Sequence, residues 1–111
     1  MRVLKSITEI NEVINKELAL IIVKGKNCSV CVSVALQLET RFSNIPLYSI
    51  DIDEIKVFAG QYLIFSIPTV LIFSHGKELI REVRFIDFSK LERSIKNILE
   101  KGESYEYIGS K

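Results

Sequence analysis

Two rhythms of apolar residues run through the chain. Ile7, Ile10, Val13 and Ile14 recur at the spacing of one helix face, and Ser6 with Glu9 forms a capping box, so a helix is predicted over residues 7–16. Leu18 to Val23 is instead one unbroken apolar run rich in branched side chains, which suits a strand buried on both faces. From Cys28 onward, Cys31, Val34, Ala35, Leu38 and Phe42 mark a second helical face, closed by Asn44 to Pro46 before a strand from Leu47 to Asp53. Glu54 to Leu63 reads as a helix with Ile55, Phe58, Ala59 and Tyr62 inward and Asp53 as its N-cap. Phe65-Ser66-Ile67-Pro68 breaks that rhythm. Thr69 to Phe73 and Glu78 to Phe85 then read as the two strands of a hairpin around the turn Ser74-His75-Gly76-Lys77. A second capping box, Ser89 with Glu92, opens a last helix carrying Leu91, Ile95, Ile98 and Leu99, which Gly102 stops.

Strands separated by helices must pair in parallel, whereas a hairpin adds antiparallel pairing. The predicted fold is therefore α/β, a three-layer α/β/α sandwich with a central mixed sheet. Residues 1–102 form its one domain, and residues 103–111 a loosely docked C-terminal tail. Composition agrees: 111 residues with 48% hydrophobic and 26% charged side chains can build a real core without disulfide stapling. The net charge of +1, with scattered lysines and arginines, lacks the basic footprint of a nucleic-acid binder. Met1 to Lys5 turns polar at Ser6 with no apolar leader core, and no apolar run is long enough for a bilayer. A cytoplasmic monomer is expected, with no membrane partner.

The candidate chemistry sits where the first apolar run meets the second helical face. Cys28 and Cys31 are the only cysteines. A pair at this spacing, at a strand-to-helix junction in a compartment that keeps thiols reduced, reads as a dithiol that cycles with a disulfide. At the start of a helix the first sulfur lies near unpaired N–H groups and the positive end of the helix dipole, which favour thiolate. Cys28 is then the attacking group, and Cys31, one turn later on the buried face, the resolving one. Two plainer readings remain: an ordinary buried cysteine pair, or half of a zinc site. A zinc site lacks ligands, since the remaining candidate, His75, falls in a distant turn, so no metal is expected.

The strand leading to Cys28-Ser29-Val30-Cys31, the segment Ile50-Asp51-Ile52-Asp53, the run from Ser66-Ile67-Pro68-Thr69 to Phe73, and Gly76 in the hairpin together resemble the thioredoxin family, with element order and spacing intact to Gly102. The resemblance implies a protein-disulfide oxidoreductase without bound cofactor, with catalytic Cys28 and Cys31. Its expected partners are protein disulfide substrates and, as electron donor, a thioredoxin reductase or low-molecular-weight thiol. It implies a cis peptide bond before Pro68, facing the dithiol. A residue without N–H there leaves the backbone of Ile67 free to pair with an incoming peptide. Ile67, Pro68 and Arg84 are thus the expected substrate-binding residues.

The chain also departs from the family pattern. Asn27 stands where thioredoxins usually have Trp, and Ser29-Val30 where they have Gly-Pro. Their buried Asp falls at Ile22 and its Lys partner at Ser49, so both titrating groups are gone and Cys31 must lose its proton another way. Arg84 replaces a glycine. It narrows the peptide surface and could stabilise the Cys28 thiolate, the plainer alternative being a solvated edge-strand arginine, as for Lys24 and Lys26. These departures sustain an alternative: a thioredoxin-fold binding or redox-sensing adaptor protein without efficient turnover.

Overall fold

The computed structural model describes residues 1–101, so the helix stop at Gly102 and the tail at 103–111 lie outside the described residues. Along the chain run β1 (Arg2–Leu4), α1 (Ile7–Ile14), β2 (Ala19–Lys24), α2 (Ser29–Arg41), β3 (Leu47–Asp51), α3 (Lys56–Tyr62), β4 (Thr69–Ser74), β5 (Lys77–Val83) and α4 (Phe88–Lys101). The strands form one sheet in the order β1-β3-β2-β4-β5. β1, β3 and β2 are parallel; β4 runs antiparallel to β2, and β5 to β4. This is the mixed α/β sandwich expected from the pattern of the chain.

β2 lies at the middle of the sheet, and alternation along it divides the core. Ala19, Ile21 and Val23 face the layer of Ile10, Val13, Ile14 and Phe58 from α1 and α3. Leu20 and Ile22 face Val34, Leu38, Leu91 and Ile95 from α2 and α4. A strand sandwiched between two apolar layers needs branched apolar residues at every position, which is why Leu18 to Val23 shows no alternation in sequence. Each such side chain taken fully from water contributes about 1.5–3 kcal/mol.

The structure corrects several boundaries and caps. β1 has no counterpart in the sequence pattern: of its three residues only Leu4 is buried, so it carries no readable period. α1 opens on Ser6, whose Oγ accepts the Glu9 N–H at 3.2 Å, while Glu9 reaches back to the Lys5 N–H at 2.6 Å. Asp53 does not cap α3. Asp51 Oδ1 accepts the Asp53 N–H at 2.8 Å, winding the chain into a turn that delays the helix to Lys56. Ser89 is likewise inside α4 rather than at its cap, because Asp87 Oδ1 accepts the Lys90 N–H at 3.0 Å and a carboxylate suits a helix N-terminus better. β5 ends at Val83, before the Arg84 and Phe85 expected within it.

The β4–β5 turn places His75 and Gly76 at φ 50° and 85°, the backbone of a two-residue hairpin turn. Their N–H groups donate to Lys16 O and Ile14 O, both at 2.8 Å, so the turn docks against the C-terminal end of α1. A Cβ on Gly76 would stand 2.8 Å from Asn15 Oδ1, and glycine therefore serves both the torsion and the approach.

Candidate active site

The central strand β2 delivers the chain to a short loop, 25–28, from which α2 begins. Cys28 is the N-cap of α2, with φ −117° and ψ 95°, and its Sγ accepts the Cys31 N–H at 3.1 Å. The sulfur therefore takes the place that a serine or aspartate oxygen holds at most helix starts, against one of the N–H groups the helix leaves unpaired. Cys28 and Cys31 are joined as a disulfide with Cα atoms 5.2 Å apart, within the span a bridge requires without moving the backbone. Cys28 is half-buried and Cys31 only 1% exposed. Reagents can thus meet the first sulfur and not the second.

The Ile67–Pro68 peptide bond is cis. Thr69 pairs with Val23 at the start of β4, so the register continued by one residue sets Pro68 beside Lys24, where the chain leaves β2 for the dithiol. Ile67 closes over that exit: a Cβ on Gly25 would lie 2.7 Å from Ile67 Cδ1 and 3.6 Å from Ile52 Cγ2. Thr69 Oγ1 donates to Ser66 O at 2.7 Å, satisfying a buried hydroxyl and fixing the approach to the proline. Arg84 comes to the same place through its backbone, its N–H donating to Pro68 O at 2.7 Å. Ile67 and Pro68 therefore lie against the exit that leads to Cys28, and Arg84, distant from both in sequence, is tied to Pro68.

Arg84 has φ 63°, in the left-handed region where a side chain is unfavourable. That torsion gives a physical reason for a glycine at this position and marks the arginine as costly. Its side chain is exposed. Asn27, just before Cys28, also has positive φ, at 55°, which asparagine tolerates better than most residues. Lys24 is half-buried and Lys26 exposed, both within the exit from β2.

Beneath the surface, Ile22 and Ser49 are register partners on β2 and β3 and both are buried. The Ser49 hydroxyl has no hydrogen-bond partner among the described residues. Neither residue titrates in any ordinary range, so this pair of positions supplies no acid or base. Among the described residues no group of three His, Cys, Asp or Glu side chains is arranged to hold a metal ion. Among the same residues no helix is long and apolar enough to cross a membrane.

Sequence reasoning passed over the apolar surface next to this constellation. Phe65, two residues before Ile67, is 85% exposed, and Phe85, adjoining Arg84, is 86% exposed. Val30, between the cysteines, is exposed as well. A signal was present at Phe65, which falls outside the helix and strand periods, but a lone aromatic in a loop does not declare which way it points; Phe85 was hidden by its place at the end of the expected strand.

A family model described as thioredoxin matches residues 3–97. A thioredoxin-like protein of Bacillus subtilis, YdfQ, is 36% identical over 81 residues, covering 70% of this chain and 72% of that protein. The fold is shared with the thioredoxin of Malassezia sympodialis, at TM-score 0.76 and 22% identity over 87% of this chain and 89% of the other. It is shared equally with a mutant thioredoxin from Halobacterium salinarum, at TM-score 0.78 and 22% identity over 86% and 88%.

Proposed function

The chain belongs to the thioredoxin family, and from that premise we propose that it is a thiol-disulfide oxidoreductase that reduces protein disulfides through Cys28 and Cys31. The observation that carries the reading is the asymmetry of the bridged pair: a half-buried sulfur at a helix N-cap, and a second sulfur one turn below it and out of reach of solvent. In the reduced protein the Cys28 thiolate attacks one sulfur of a substrate disulfide, forming a mixed disulfide and releasing the other substrate sulfur as thiolate. The Cys31 thiolate then attacks Cys28 Sγ. This closes the intramolecular bridge, releases the second substrate thiolate and completes the transfer of two electrons to the substrate.

Ile67 and Pro68 would border the substrate chain, with the Ile67 backbone available to pair with it, and Arg84 would lie along the same edge. A thioredoxin reductase or a low-molecular-weight thiol restores the dithiol, in a reducing compartment such as the cytoplasm, and the protein works as a monomer. With Ile22 and Ser49 in place of titrating groups, Cys31 must give its proton to water, backbone or substrate. The resolving step is accordingly the slow one. That same feature supports the second reading, a thioredoxin-fold adaptor or redox sensor in which the dithiol forms a latch and turnover is negligible.

Mixed-disulfide trapping tests the assigned order. Cys31→Ser is expected to accumulate a covalent adduct with insulin through Cys28, visible by mass and released by dithiothreitol. Adducts formed by Cys28→Ser instead would reverse the two roles.

A further inference from the structure

Arg81 is an edge-strand residue whose side chain turns away from water, being only 28% exposed. Its Nε and one terminal nitrogen donate to the two carboxylate oxygens of Glu78, both at 2.8 Å. The remaining donors go to another element altogether: to Leu63 O at 2.9 Å and Tyr62 O at 2.7 Å. These carbonyls belong to the end of α3, which the helix itself leaves unpaired. A planar guanidinium can hold both carboxylate oxygens and two carbonyls at once, four bonds that a lysine with three donors and no fork cannot make.

Segment 63–68 leads on from α3 and ends at Pro68. β5 and the residue just beyond it hold this segment at both ends: the Arg81 side chain grips Tyr62 and Leu63, and the Arg84 backbone grips Pro68. Between these ties Ile64 is buried and Phe65 projects with 85% of its surface exposed. An exposed aromatic on a braced loop presents area that needs little further ordering when a partner covers it.

The geometry points to Arg81 as a positioning residue, which, locked by Glu78, sets the α3 end of segment 63–68 and so fixes the Phe65 ring for docking an apolar stretch of a substrate protein beside Cys28. This rests on the oxidoreductase reading above. Arg81 touches no reacting atom, so loosening it weakens capture of a protein disulfide and leaves the cysteine chemistry alone. A clamp that served α3 stability only would lower the unfolding midpoint without changing KM.

The test is steady-state reduction of insulin by the full chain, with KM and kcat separated and thermal unfolding measured alongside. Arg81→Met and Phe65→Ala are each expected to raise KM about fivefold, with kcat held within about twofold, as loss of part of one aromatic side chain's apolar contact implies. Because both act through one ring, the double variant should be no worse than the poorer single one, within about twofold. Arg81→Lys, which keeps the charge but not the fork, is expected to fall between wild type and Arg81→Met, and it carries the test even where Arg81→Met does not fold. An unchanged KM in Arg81→Lys and Arg81→Met, a fall in kcat instead, or KM effects that multiply in the double variant overturns the clamp while leaving the oxidoreductase reading intact. A wild type that does not reduce insulin overturns both.

Discussion

Arg84 is the residue at which conformation and chemistry conflict most openly. A β-carbon at φ 63° crowds the neighbouring carbonyl, at a cost of about 1–2 kcal/mol. Arg84→Gly removes that cost but gains unfolded-chain entropy, so it should stabilise the fold by about 1 kcal/mol in urea unfolding. Arg84→Ala keeps the β-carbon and should not. If both variants stabilise equally, the gain comes from the charge and not from the backbone. At Cys28 the expectation concerns reactivity. In the bridged protein the N-cap position places Sγ against the Cys31 N–H, and a helix start that keeps this place on reduction should make the thiol titrate below an unperturbed cysteine in alkylation rate against pH. An ordinary titration there would remove the helix start as the source of activation. The cysteine pair was legible from residue type and spacing, and the cis bond before Pro68 only through the family resemblance. The torsion of Arg84 was not, because the sequence revealed only a substituted glycine and not the left-handed turn behind it.

Among the elements, helix starts were the least readable. Ser6 and Glu9 did cap α1, yet Asp53 and Ser89, which look equally suitable on paper, cap nothing: α3 begins at Lys56 with no side-chain cap, and at α4 the place goes to Asp87. Several oxygen-bearing side chains stand near each helix start, and which one meets the free N–H groups depends on where the preceding strand sets the chain down. β1 escaped notice for a different reason, since three residues with one buried position hold no period. The α1 cap also carries a pH dependence. The Lys5 N–H holds the Glu9 carboxyl below the usual carboxylate range, with Arg2 and the Ser6 backbone adding to it. A carboxyl lowered on folding stabilises above its unfolded value, and that stabilisation is lost as pH falls through the folded one. Glu9→Gln should therefore lower the melting temperature at neutral pH, the difference from wild type closing under strongly acidic conditions. A difference constant with pH would mean that the amide loses packing and not charge.

At the scale of the molecule, one buried strand organises everything: β2 divides the core into two apolar layers and ends at the dithiol. Phe58 anchors the α1–α3 layer, fully buried, its ring 4.8 Å from Tyr62, which in turn meets Phe73 edge-on at 5.6 Å. Phe58→Ala should cost about 3–5 kcal/mol in urea unfolding. A much smaller loss would mean that this layer collapses around the gap. The fold class was legible because alternation between helical and continuous apolar patterns leaves few ways to cover a mixed sheet. The exposure of Phe65 and Phe85 was not, since both stand in loops whose direction no period encodes. These exposed rings matter to the proposed function only if the dithiol turns over. Reduction of insulin in dithiothreitol, monitored by turbidity, decides this: the wild type should clearly shorten the lag and Cys28→Ser should match dithiothreitol alone, whereas a wild-type trace that also matches dithiothreitol alone contradicts the oxidoreductase account.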